Sequence, residues 1–372
     1  MNWRLKLLKV TDLKSIYLSI LIKRLWLALI FIIFTGSAFA QIGGMGTYEF
    51  LDLSPSARTS ALGGLQVAYQ DEDNSEAFDN PALLNSQMDN RISLNTVSYL
   101  AGINYGNGSY AHTWDSIGTF HAGIQYINYG EFNATDVTDA NLGTFRAAEY
   151  ALYVGGSRTY RQKFSYGVNL KFIYSNLESY TSSGIAADIG GSYTDTAHLI
   201  NAGVVLRNIG TQFKTYVSGT HEPLPFEIDL GVSKALAHLP LRIFVTVQHL
   251  ETFNIRYNDS ADQTSNIFGD TTAQKKNTTF DNIFRHFIIG AELTLGKHLM
   301  IEGAYNDLRR QELAFSGDMG LAGYSIGVGV KINRFSIHYS HDIYDVAAGS
   351  DNFSLNIDLG NGFKKPQRKP TS

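Results

Sequence analysis

The 372-residue chain has no cysteine. That single absence removes disulfide frameworks, thiolate zinc sites and cysteine nucleophiles together. Charge is also scarce: Asp, Glu, Lys and Arg make up 17% of the residues, below the usual quarter. The mean hydropathy of -0.11 is too low for a bundle of membrane-crossing helices, each of which requires about 20 apolar residues. A basic face is missing as well. Of 30 basic and 34 acidic residues, six basic ones (Arg4, Lys6, Lys9, Lys14, Lys23, Arg24) and one acidic one (Asp12) lie within residues 1–40. Beyond them 24 basic residues face 33 acidic ones, a net charge of -9. That balance excludes the electrostatic footprint of a nucleic-acid binder.

What is present begins with an export signal. Lys23 and Arg24 precede the apolar run of residues 25–34, LWLALIFIIF, and Ala38 and Ala40 stand in an A-x-A arrangement before Gln41. A positive flank, a short apolar core and small residues at the cut define a secretory signal peptide over residues 1–40, cleaved between Ala40 and Gln41. The rival reading is an anchor from Ile16 to Phe34, but Lys23 and Arg24 interrupt it and the apolar core is too short to span.

Residues 41–90 carry helix punctuation instead of strand alternation. Ser54-Pro55 reads as a cap and first position, and Gly63-Gly64 as the stop, of a two-turn helix. Asp73, Asn74 and Ser75 offer caps for a short helix over residues 76–79, which Asn80-Pro81 breaks. Such pieces are too short to stand alone and must pack against something larger. We expect a plug.

From Arg91 onward the period is two. Phe164, Tyr166, Val168, Leu170, Phe172 and Tyr174 fall on one face, with Ser165, Gly167, Asn169 and Lys171 on the other. Fourteen such segments are expected over residues 91–360, followed by a tail at 361–372. Tight connections (near 115–116, 159–162, 195–196, 237–239, 297 and 332–333) alternate with longer ones, notably 130–143 and Thr252–Ile283. Short turns on one side and long loops on the other predict an all-β, fourteen-stranded antiparallel transmembrane barrel in the outer membrane, with both termini in the periplasm. A soluble β-sandwich or propeller also alternates; against it stand the signal peptide, the Tyr and Phe residues near the strand ends, and the small or polar residues of the second face.

The order of signal peptide, short helices with Asn80-Pro81-Ala82, then fourteen strands resembles the FadL family of outer-membrane barrels. The resemblance implies an N-terminal hatch in the lumen with Asn80, Pro81 and Ala82 as its motif. A narrower resemblance, to the PorQ-like components of the type IX secretion system of Bacteroidetes, is carried by residues 47–53 (TYEFLDL), 56–64 (SARTSALGG), 78–84 (FDNPALL), 125–130 (QYINYG), 177–181 (LESYT), 205–212 (VLRNIGTQ), 223–226 (PLPF) and 230–237 (LGVSKALA). It implies a non-enzymatic anchor for a PorZ-like surface protein, acting with PorU-like and PorV-like proteins that join cargo to lipopolysaccharide. The alternative from the broader family is a diffusion channel for hydrophobic small molecules.

No catalytic constellation is identified from spacing, and no cofactor is expected. His338 and His341 lie three apart, which on a strand puts them on opposite faces and excludes a shared metal. His112 and His121 flank a turn and are expected at the interface or in solvent. Acids at 136 and 139, or 259 and 262, lack calcium-loop spacing. Lys171, Asp188, Arg207, Glu227, Asp229, Glu292, Lys331 and Asp358 are expected to point inward, since charge facing lipid is costly. Gly190-Gly191 keeps open a kinked strand. As a docking loop for a partner we expect the 32 residues Thr252–Ile283, with Phe253, Ile255, Tyr257 and Phe268 as apolar contacts, and residues 208–222 as second choice.

Overall fold

The computed structural model describes residues 46–136, 138, 140–255, 279–313, 320–345 and 348–360. The signal segment with Ala40 and Gln41, Tyr257, Phe268, Asp139 and the tail at 361–372 lie outside the described residues.

Fourteen strands form one closed antiparallel barrel, each paired with its sequence neighbours. They are β1 Arg91–Ser98, β2 Asn104–Trp114, β3 Gly118–Thr135, β4 Asn141–Tyr160, β5 Phe164–Leu177, β6 Tyr180–Asp195, β7 Ile200–Lys214, β8 Glu227–Ala235, β9 Leu241–Val247, β10 Phe287–Leu295, β11 Leu299–Asn306, β12 Tyr324–Ile332, β13 Phe335–Asp345 and β14 Ala348–Asp358. Closure is made by β1 on β14, with Arg91 opposite Asp358 and Ser98 opposite Asp351. A closed ring leaves no unpaired strand edge, which is what hydrocarbon demands of backbone N–H and C=O groups. Both ends of the ladder, Arg91 and Asp358, lie on the rim of the tight turns.

Burial is inverted relative to a soluble protein. Leu152, Val154, Tyr166 and Phe172 are 52–56% exposed, while Asn169, Lys171 and Asp188 are at most 1% exposed. Apolar side chains cover the outside, and most of the charged and amide side chains of the strands face inward. An exposed apolar surface of this extent is unfavourable in water and favourable in lipid. The chain is a transmembrane β-barrel.

Several boundaries differ from the sequence reading, each for a local reason. The expected loop at 130–143 is instead a continuation of β3 and β4, with Asn133 opposite Thr144. There Phe132 stacks on Phe145 at 5.2 Å, and Arg146 pairs with Glu131 at 3.0 Å, so cross-strand contacts carry the ladder onward. β9 ends at Val247 because His249 takes a left-handed backbone, φ 56°. The loop read as starting at 208 starts after Lys214. On β7, Arg207 and Asn208 together oppose Asp188 of β6, a β-bulge in which Asn208 has φ 58° and donates its N–H to Asp188 Oδ1 at 2.9 Å. The β6–β7 register shifts there and again between Ser183 and Gly184, while Gly190 and Gly191 pair regularly with Val205 and Val204.

Candidate functional site: a hatch inside the barrel

Residues 46–90 pack within the ring of strands. Helix α1 (Ala57–Ala61) touches β11, β12, β13 and β14, while the 3-10 turn Pro81–Leu83 touches β4, β5 and β6 on the other side. Each piece is capped by its own sequence. Ser56, two residues after the expected cap, accepts from Thr59 N–H at 3.4 Å. Gly63 and Gly64 stop the helix in the left-handed region, φ 101° and 100°. Asp73 accepts from Ser75 N–H at 2.9 Å to start the turn Asn74–Phe78.

Asn80, Pro81 and Ala82 form a tight seat. Asn80 Oδ1 accepts from Ala82 N–H at 3.0 Å, its Nδ2 donates to the Val67 carbonyl at 2.8 Å, and Pro81 opens the next turn. Gly190 on β6 makes room for this: a Cβ there would run into Asn80 Oδ1.

Buried ion pairs hold the hatch to the wall. Arg58, 4% exposed, donates Nε and Nη2 to Glu292 Oε2 on β10 at 2.9 and 2.7 Å and Nη1 to Glu76 at 3.2 Å, and it also pairs with Asp71. Its guanidinium lies 4.4 Å from the centre of the Tyr69 ring, and that of Arg242 lies 4.5 Å from it. Arg207 pairs with Asp52 of the hatch at 2.9 Å and with Glu227 at 2.7 Å. Within the wall itself, Lys171 of β5 pairs with Asp188 of β6 at 2.8 Å. Asp342 accepts from Ser60 and from Asn352 Nδ2, the latter at 3.1 Å, and pairs with Arg309 at 3.3 Å. Within the hatch, burial pushes the Asp79 carboxyl up to about 7, against the pull of Arg207 and hydrogen bonds from Thr59 and Gln66. Burial acts the same way on Asp71, but Arg58 outweighs it and holds that carboxyl below its ordinary value.

The lumen has two chemical halves. Toward the long loops the wall carries an apolar cluster, Val97, Tyr105, Ile127, Tyr153, Ile173 and Ala186, against which Tyr48, Phe50 and Leu51 of the hatch and Leu224 of a loop are packed, with Glu149, Ser175, Ser182 and Gln212 buried beside it. Toward the tight turns the wall is polar and encloses a cavity of about 280 Å³ beside Arg58, Lys331 and His338.

Of the residues singled out from sequence, Asn80, Pro81 and Ala82 are buried at the β5–β6 wall. Phe253 is 64% exposed, whereas Ile255 is 9% exposed. The backbone carbonyl of Phe253 is held by Asn282 and, at 3.3 Å, by His286, so this end of the long connection is tied to helix α2 (Thr279–Arg285). His121 was expected at the interface or in solvent. It is 3% exposed inside the lumen, 2.8 Å from Asn169 Oδ1 and edge-on to Phe78. Its strand parity with Thr119 and Gln125, both buried, carries that signal. The Arg58 cluster was missed, because its partners are scattered along the chain.

A hatch-filled, fourteen-stranded barrel is the class that this geometry defines. No family model matches the sequence, and no curated protein matches it. Among solved structures, the chain is similar to the toluene transporter TbuX of Ralstonia pickettii (12% identity, TM-score 0.49, covering 82% of this chain and 97% of that one). It is also similar to the toluene transporter TodX of Pseudomonas putida (12%, 0.48, 82% and 96%) and to a FadL homologue of Pseudomonas aeruginosa (10%, 0.45, 83% and 98%). The strand register, not these likenesses, defines the fold.

Proposed function

We propose that this protein is an outer-membrane channel for hydrophobic small molecules, with both termini in the periplasm and the hatch as its gate. The observation that carries this reading is the apolar cluster on the loop side of the lumen wall. A barrel that only held a plug in place would be served by a polar wall, which hydrates and pairs freely. Here Val97, Ile127 and Ile173 line the space above the hatch, and the hatch covers them with Tyr48, Phe50 and Leu51. Withdrawing residues 48–51 would bare a mostly apolar patch with a few polar groups, among them Gln125 and Ser182, for a ligand of matching chemistry. The test is uptake of radiolabelled toluene by proteoliposomes holding the full barrel. Flux above protein-free liposomes, reduced about tenfold by Ile173→Lys, supports the reading. Flux equal to the protein-free control overturns it.

A second reading is a surface anchor for a PorZ-like partner, acting with PorU-like and PorV-like proteins in attaching cargo to lipopolysaccharide. It is favoured by α2, which exposes Phe280, Ile283 and Phe284 beside the long connection. Neither reading asks the chain for chemistry of its own.

A further inference from the structure

We propose that Ser336, His338 and Glu302 form an acyl-transfer site that hydrolyses short-chain esters of polar alcohols in the cavity on the tight-turn side of the lumen. Ser336 and His338 are two apart on β13, so both project from one face of the strand into the barrel. Ser336 Oγ lies 3.1 Å from His338 Nε2. On the other side of the ring, His338 Nδ1 lies 3.3 Å from Glu302 Oε1 of β11. Serine, imidazole and carboxylate thus stand in the order that activates a hydroxyl nucleophile. The intervening strand makes room for the ring: at Gly329 of β12 an added Cβ would run into the His338 imidazole.

Three features set this apart from a packing arrangement of polar side chains. First, His338 and Glu302 are each 3% exposed, yet His338 Nδ1 and both Glu302 carboxylate oxygens lack a well-directed hydrogen bond. Besides His338, Glu302 has among the described residues only the long 4.0 Å ion pair to Arg58 Nε, and leaving a buried carboxylate so thinly satisfied is costly. Nucleophile–base and base–carboxylate contacts that are loose in an empty site commonly tighten around substrate. Second, Ser336 and His338 both line the 280 Å³ cavity, so the hydroxyl faces space rather than packed atoms. Third, Ser336 is directly opposite Asn356 on β14. Asn356 is 3% exposed and its Oδ1 has no partner, so its amide is free to turn a donor toward a developing oxyanion.

The chemistry balances with water as the only co-reactant. Glu302 keeps the imidazole proton on Nδ1, leaving the Nε2 lone pair toward Ser336. As Ser336 Oγ bonds to the ester carbonyl carbon, its proton passes to Nε2. The alcohol leaves with that proton as its C–O bond breaks, giving an acyl-Ser336 ester. Water then loses a proton to Nε2, its oxygen bonds to the acyl carbon, and Ser336 Oγ departs and takes the proton back. Ester plus water becomes carboxylic acid plus alcohol. The cavity volume is near the lower end of small-molecule pockets, which selects short acyl chains. Its wall carries Arg58, Arg91, Lys297 and Lys331 together with Asp71, Glu72, Asp73 and Glu292, a charged lining that favours a polar alcohol over a lipid.

The test uses the full barrel in detergent, a fluorophosphonate probe and p-nitrophenyl acetate. The expected result is one covalent adduct, mapped to Ser336, and ester turnover. Ser336→Ala should abolish both while the barrel keeps its heat-modifiable mobility. Glu302→Gln should lower kcat about a hundredfold or more with KM nearly unchanged, as expected of a positioning residue. A folded barrel without an adduct at Ser336, or turnover that survives Ser336→Ala, overturns the proposal.

Discussion

Arg58 of the hatch grips Glu292 of the barrel wall through two N–H groups on one carboxylate oxygen, at 2.9 and 2.7 Å, with both side chains about 4% exposed. The same guanidinium also faces Glu76 and Asp71 of the hatch itself. One cation therefore neutralises acids on both the hatch and the barrel wall. Removing it would leave Glu292 and Glu76 buried without their counter-charge, which costs about 3–5 kcal/mol for one broken buried pair. Arg58→Met is expected to lower the unfolding temperature and to raise single-channel conductance in planar bilayers by loosening the hatch. Unchanged stability and conductance would show that the cluster does not hold the gate.

Proton uptake is expected to act on the same hatch through Asp79. Its folded-state value is pushed up to about 7, above an unfolded value of about 3.9. Between these the folded protein binds more protons than the unfolded chain, so the contribution of this carboxyl to stability falls as pH rises from about 4 to about 7. Asp71 works with the opposite sign: its depressed value gives stability present at neutral pH and lost as pH falls through that value. Asp79→Asn removes the first effect. Its melting temperature relative to the parent is expected to rise as pH goes from about 5 to about 8, by the equivalent of about 1 kcal/mol or more. A difference that stays flat with pH would place Asp79 in a more solvated site.

The strands were legible because period two survives in any reading of β5 or β12, and because Lys171, Asp188 and Glu292 fall on the small-residue face. The hatch turns were legible from Asp73, Asn80, Pro81 and Gly63, whose capping chemistry is local. What stayed hidden depends on cross-barrel register. Arg58 meets residues 13, 18 and 234 positions away, and no local pattern marks that convergence. Ser336 and His338 are two apart on one face, but Glu302 reaches them from another strand across Gly329. Spacing along a single strand shows only two of those three residues. The extension of β3 and β4 was hidden because Phe132–Phe145 stacking is a cross-strand pair, invisible until the register is known.

The surface side carries the last expectation. Helix α2 shows Phe280 at 68% and Phe284 at 43% exposed, with their rings 4.7 Å apart. Paired aromatics presented together outside the barrel are the kind of anchor that carries binding energy in a protein interface. The helix is fixed from behind: Asn282 and Arg285 are buried, Asn282 holds the Phe253 carbonyl, and Arg285 pairs with Asp281 at 3.4 Å. A rigid display loses little entropy on binding. Because these two rings are exposed, Phe280→Asp with Phe284→Asp should change barrel stability by only about 0.5 kcal/mol or less per site. If the surface-anchor reading holds, that double variant, and equally a chain shortened over residues 260–279, should stay inserted in the outer membrane and release a PorZ-like partner into the medium. Cargo would then be secreted and poorly retained at the surface. A partner that stays bound to both variants, with toluene uptake intact, would leave the channel reading as the one this barrel supports.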